Sequence, residues 1–283
     1  MTSLDRRTFL LASGALALAA CGSDSESPAS SDELFDLAPR FPRELQVPGR
    51  QRLVYSIVKD QALQPDGPET LTGRILSNAD NSTVVESITA TRRRVTDALS
   101  YWDFHPEIDT PGIYTLYVEG AIADGTAFGI YDPTTIAVPT PGSVLPPFDT
   151  PTTDDALGVD PICTRIEGGP CPFHSITLTE ALALGKPVVY LLGTPAHCQF
   201  GTCAPGLEFL ITAADRLGDQ IVVVHAEVYT DDTATVASPA MDAYSLAFEP
   251  VMFLADANGT VMTRLDGAWD QSELDEELAK LLA

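Results

Sequence analysis

Two cysteines, Cys198 and Cys203, stand five positions apart in GTPAHCQFGTCAP, where an apolar run gives way to a helical pattern. A thiol at such a junction meets unpaired backbone N–H groups and the positive end of the helix dipole. Both favour the thiolate, which is the nucleophile. His197, the preceding residue, adds an imidazole. Cys198 closes the strand and is expected to be the attacking thiolate, with Cys203 in the helix body as the resolving thiol of a thiol–disulfide exchange. Four intervening residues still let the α-carbons approach within the about 4.4–6.8 Å that a disulfide needs. Two other uses of the pair stay open. Cys171, His174, His197, Cys198 and Cys203 are soft ligands suited to Cu(I) or zinc, and the pair could equally be an inert staple in a binding or scaffold protein.

The chain has five cysteines. Cys163 and Cys171 flank a Gly-Gly turn in PICTRIEGGPCPFHS, which suits a short covalent loop. With Cys21 set aside, four cysteines allow three pairings. The local one joins Cys163 to Cys171 as a structural disulfide and Cys198 to Cys203. His225 lies within an apolar run and is expected to be a core residue; no metal or other cofactor is assigned.

Acidic residues outnumber basic ones by 40 to 16, for a net charge of −24, and the only lysines are Lys59, Lys186 and Lys280. Such a surface repels phosphate backbones and anionic headgroups, so nucleic acid is excluded as a partner and a membrane must be held by other means. The N-terminus supplies the means. Arg6 and Arg7 precede an apolar stretch too short to span a bilayer, as in an export signal. Arg6-Arg7-Thr8-Phe9-Leu10 resembles a twin-arginine signal, and Leu18-Ala19-Ala20-Cys21 resembles the bacterial lipobox, whose cysteine is acylated. The resemblance implies a signal over residues 1–20, lipidation at Cys21, a polar tether over 21–36 and a lipid-anchored place on the extracytoplasmic face of the membrane.

The elements that must position the cysteines read in two blocks. Over residues 37–138, β-branched and aromatic runs such as RLVYSIVKD and PGIYTLYVEG alternate with turn signals, as in an antiparallel sandwich. Trp102, Phe104 and His105 are expected in its core or at strand ends. VPTPGSVLPPFDTPTTDD carries five prolines and reads as a linker over 139–155. Beyond it, over 156–283, TLTEALALGK predicts a helix capped by Thr177 or Thr179, and PVVYLLG predicts a buried strand. PGLEFLITAADRLGD predicts a second helix and IVVVHAEVY a second strand. A hairpin turning at Asn258-Gly259 and a closing helix with Ser272 and Asp275 in its first turn complete the order.

That order, with KPVVYLLGTPAHC, a cysteine opening the helix and Glu249-Pro250 before the hairpin, resembles the thioredoxin-like superfamily over residues 175–283. DTPGIYTLYV, with Tyr114, resembles the tyrosine corner of immunoglobulin-like domains. The resemblances imply an α/β thioredoxin-like domain, a mixed sheet flanked by helices, behind an all-β Ig-like sandwich. They also imply a cis Pro250 facing the cysteine pair. Four residues rather than two separate the cysteines, and Leu192 occupies the place of the family's buried acid, which implies slow proton handling. The function expected is a thiol–disulfide oxidoreductase acting on protein thiols and disulfides of the cell envelope. A copper-binding chaperone similar to the Sco type is the second reading, although no histidine follows His225. Peroxiredoxins are a weaker match, with Thr194-Pro195 but no partner arginine.

Overall fold

In a computed structural model the described residues are 34–122 and 124–283. The expected signal, Cys21 and most of the tether lie outside them. Residues 34–283 form one compact unit.

The first ten strands are β1 (Asp36–Pro39), β2 (Gly49–Arg50), β3 (Leu53–Lys59), β4 (Ala62–Leu63), β5 (Thr70–Ser77), β6 (Thr83–Thr96), β7 (Leu99–Phe104), β8 (Glu107–Ile108), β9 (Gly112–Val118) and β10 (Thr126–Ile130). Eight of them make one antiparallel sheet in the order β1-β3-β7-β6-β5-β9-β10, with β4 beside β3. The 14-residue β6 makes it continuous: its first part pairs with β5 and its last part with β7. The sheet then curls almost shut. Phe35 and the segment after β1 bond to the far end, with Ile122 N–H to Phe35 O at 3.0 Å, Gly129 N–H to Arg43 O at 3.1 Å and Tyr131 N–H to Gln46 O at 2.8 Å. Tyr55, Ile57, Ile75, Trp102, Phe104, Leu116 and Phe128 fill the interior. Tyr114 donates to Thr110 O at 2.7 Å.

After that sheet come α1 (Leu178–Ala183), β11 (Val188–Leu192), α2 (Cys203–Leu217), β12 (Val222–Ala226), α3 (Pro239–Ala243), β13 (Val251–Ala255), β14 (Val261–Asp266) and α4 (Gln271–Leu281). The four strands lie in the order β12-β11-β13-β14, and only β11 and β12 run parallel. β11 is buried on both sides, and the two-residue period of a strand divides it. Val188, Tyr190 and Leu192 join one core with Leu178, Met241 and Phe253; Val189 and Leu191 join another with Leu207, Leu210, Leu274 and Leu278. Thr177 caps α1 with Glu180 in a reciprocal capping box. In α4 the cap is Asp270, which accepts from Glu273 N at 2.8 Å, in place of the expected Ser272 and Asp275 pair.

The expected fold class is corrected by these facts. The described residues are mostly β, with 35% strand and 17% helix, and their dominant feature is a nearly closed antiparallel sheet. It is therefore not an α/β thioredoxin-like domain behind an Ig-like sandwich. Two of the helices are brief, α1 with six residues and α3 with five, while β6 ties together what a sandwich would keep as two facing sheets.

The proline-rich segment 139–155 is packed rather than free. Leu145 is 1% exposed and its N–H bonds to Gly259 O at 2.8 Å, and Gly142 N–H bonds to Val261 O at 2.8 Å. Arginines stitch the two sheets together. Arg52 pairs with Glu273 and donates to Asp266 O at 3.0 Å and to Ala268 O. Arg264 donates to Pro139 O at 3.0 Å and Leu45 O at 3.1 Å. Gly267 has φ +72°, and any Cβ there would fall 1.7 Å from Arg40 O.

Candidate redox site and a cysteine and histidine cluster

Cys198 and Cys203 form a disulfide, with α-carbons 5.9 Å apart. β11 ends at Leu192, the chain turns through Thr194 to Gly201, and Cys203 is the first residue of α2. Cys198 is half-buried, whereas Cys203 is 1% exposed. The Cys203 N–H, one of the unpaired donors of the helix start, points at Cys198 Sγ from 3.3 Å. That contact favours negative charge on Cys198 when the bond is open. Thr202 anchors the turn by donating to Gly267 O at 2.6 Å. The His197 ring packs edge-on to Tyr229, with centroids 6.5 Å apart.

Nothing local in the sequence marks Glu249 as a chemical group, yet it stands beside the disulfide. Its Oε2 lies 3.5 Å from Cys203 Sγ and accepts the Thr194 N–H at 2.8 Å. Burial pushes its carboxyl up to about 7, with the Thr194 N–H opposing and the Glu227 charge adding. A carboxyl poised there can exchange a proton with a neighbouring thiolate. The Glu249–Pro250 peptide bond is cis. Gly193 sits between Pro250 and Cys203: a Cβ there would stand 3.5 Å from Pro250 Cβ and 3.6 Å from Cys203 Sγ. Beside the turn, Arg165, Ile166, Glu167, Pro195, Ala204, Pro205 and Glu208 line a shallow cleft of about 260 Å³.

The structural disulfide expected between Cys163 and Cys171 is corrected. Both are free thiols, and each turns towards histidine. Cys171 Sγ lies 3.3 Å from His174 Nε2 and 3.4 Å from His225 Nδ1, while Cys163 Sγ lies 3.9 Å from His225 Nδ1. His225, expected in the core, is fully buried there, but it is a member of this cluster. The loop carrying the other three is laid across β12 by Asp160 N–H to Thr230 O at 2.8 Å and His225 N–H to Phe173 O at 3.1 Å. Contact with Cys171 lowers the Cys163 pKa against its burial, with the two histidines helping, and the same contact followed by burial raises Cys171. Burial lowers His174. For His225, burial is outweighed by Cys163 and the Glu227 charge, and its pKa rises. Glu227 is pushed up by burial, while His225 and the Thr164 N–H, at 2.6 Å, oppose.

The disulfide turn and the cluster adjoin. His225 Nε2 donates to Gly193 O at 2.9 Å, and Thr164 and Thr194 hydroxyls meet at 3.3 Å. Of the five soft ligands considered from sequence, Cys171 and His174 join this cluster, and Cys198 and Cys203 are in the disulfide. Cys163 and His225 complete it instead. Cys171-x-x-His174 was the available local signal. No protein-family model matches the chain, and no curated protein matches its sequence.

Proposed function

We propose that the protein is a thiol–disulfide exchange protein, held by a lipid on Cys21 at the extracytoplasmic face of the membrane and acting on envelope protein thiols. The reading is carried by one arrangement: a disulfide whose outer sulfur, on Cys198, receives a helix N–H while its inner sulfur, on Cys203, faces the Glu249 carboxyl. A substrate thiolate attacks Cys198 Sγ, forming a mixed disulfide and breaking the Cys198–Cys203 bond. The electron pair leaves on Cys203 Sγ, and protonated Glu249 gives it a proton. A second substrate thiolate then attacks the substrate sulfur of the mixed disulfide, and Cys198 leaves as thiolate. The substrate has become a disulfide and the protein a dithiol. The reverse sequence reduces a substrate disulfide, with Cys198 attacking and Cys203 resolving. The membrane attachment rests on the N-terminal sequence; among the described residues no helix is long and apolar enough to cross a membrane.

Trapping tests the exchange. The Cys203→Ser variant should accumulate mixed disulfides through Cys198 that dithiothreitol releases, and Cys198→Ser should accumulate none. A wild-type disulfide that resists reduction by glutathione, with no trapped species, would make the pair a staple in a scaffold protein.

A further inference from the structure

We infer that Cys163, Cys171, His174 and His225 bind a zinc ion as a closed tetrahedral site. Zinc takes thiolate and imidazole ligands at about 2.3 Å and about 2.0–2.1 Å, so the edges of its tetrahedron run about 3.3–3.8 Å. The four ligand atoms lie within 4.8 Å of one another. Four of their six separations are 3.2 Å (His225 Nδ1 to His174 Nε2), 3.3 Å, 3.4 Å and 3.9 Å. These are close to tetrahedral edge lengths, gathered from loop and strand positions up to 62 residues apart.

The surroundings fit the same ion. His225 donates its Nε2–H to Gly193 O, which leaves the Nδ1 lone pair aimed at the centre. A carbonyl behind a histidine is the usual outer partner of a metal-bound imidazole. The Cys171 backbone N–H donates to Cys163 Sγ at 3.4 Å, a bond that favours the thiolate a metal requires. His174 presents Nε2 inwards, and its outer Nδ1 is buried without a partner. Exposures of 7%, 4%, 1% and 0% along the series leave no open position for water. A four-ligand site without an open position serves structure rather than hydrolysis. Here it would fasten the irregular stretch between Asp160 and Ile176 to β12. Zinc fits better than Cu(I), because a complete sulfur and nitrogen tetrahedron matches a d¹⁰ divalent ion that binds imidazole and thiolate alike.

The test uses the purified, reduced full chain. Elemental analysis should find one zinc per chain, and cobalt(II) exchanged into the wild type should give the intense visible bands and thiolate charge transfer of a tetrahedral sulfur site. Stripping zinc with a chelator should lower Tm, and restoring it should reverse the change, a readout that needs no variant. His174→Ala and Cys171→Ser should weaken zinc binding by more than the 10–100-fold of about an outer-shell change. Cys198→Ser with Cys203→Ser should still bind one zinc per chain, which keeps this site distinct from the redox pair. A folded wild type that binds no zinc, an octahedral cobalt spectrum, a native Cys163–Cys171 disulfide, or Cu(I) taken up in preference to zinc would each overturn the inference.

Discussion

Glu249 Oε2 lies 3.5 Å from Cys203 Sγ, on the side of the disulfide away from solvent. A buried carboxyl held up to about 7 is half ionised near neutrality. It can accept the proton of a resolving thiol or donate one to a departing thiolate. Glu249→Gln keeps the shape and removes the titration. The exchange rate should fall by about tenfold or more, and its inflection near neutral pH should vanish. An unchanged pH–rate profile would show that Glu249 plays no part in proton transfer.

The same carboxyl sets a pH dependence of stability. Its folded value of about 7 lies above the ordinary 4.5, so between the two the folded chain holds the extra proton. Stability is full below about 4.5, falls as pH rises through 7, and does not return. The Glu249→Gln variant should match wild type at pH 4 and exceed it at pH 8 by up to about 3 kcal/mol. Urea unfolding at the two pH values checks this.

Arg52 and Glu273 are 12% and 3% exposed in their side chains, and Tyr101 also donates to Glu273. Removing either partner strands the other's charge between the two sheets. Arg52→Ala should cost about 3–5 kcal/mol. The double variant Arg52→Met with Glu273→Leu should recover part of the loss. Chemical denaturation of the wild type, the singles Arg52→Met and Glu273→Leu, and the double variant gives the coupling.

Gly267→Ala should be destabilising by at least about 2 kcal/mol, since the added methyl meets the Arg40 carbonyl and the backbone is left-handed there. Gly142, with φ +86° and no described atom within 4 Å of where a Cβ would stand, provides the comparison. Gly142→Ala should cost only the backbone strain, and thermal melts of the two variants measure the difference.

Cys21→Ser should release the protein from the membrane fraction, because several acyl chains on that residue are needed for firm attachment. Retention equal to wild type would refute lipid anchoring at Cys21.

What was legible in the sequence was local. PVVYLLG and IVVVHAEVY are strands because a continuous apolar run suits a strand covered on both faces. Asn258-Gly259 turns the hairpin, and Thr177 caps its helix through its own neighbour Glu180. Whether β6 would serve two neighbours and merge the first sheet into a near-barrel depends on pairings far along the chain, which ESITATRRRV does not encode. Val138 and Leu145 were hidden among prolines, yet both are buried against the second sheet. The cluster escaped for the opposite reason. His225 looks apolar by its surroundings, and a Gly-Gly turn between Cys163 and Cys171 suits a disulfide as well as a loop that folds back onto β12. Glu249 stands out in the sequence only as the residue before Pro250; the fold sets it against Cys203.

Gly193 carries a consequence of its own. Its carbonyl receives the His225 Nε2–H, and its α-carbon lies against Pro250 and Cys203. One residue thus touches both centres, and any coupling between their equilibria is reciprocal. If filling the cluster with zinc favours the dithiol over the disulfide by some factor, opening the disulfide must tighten the cluster's hold on zinc by that same factor. A chain of this design would report zinc supply as a change in reduction potential and report redox state as a change in zinc retention.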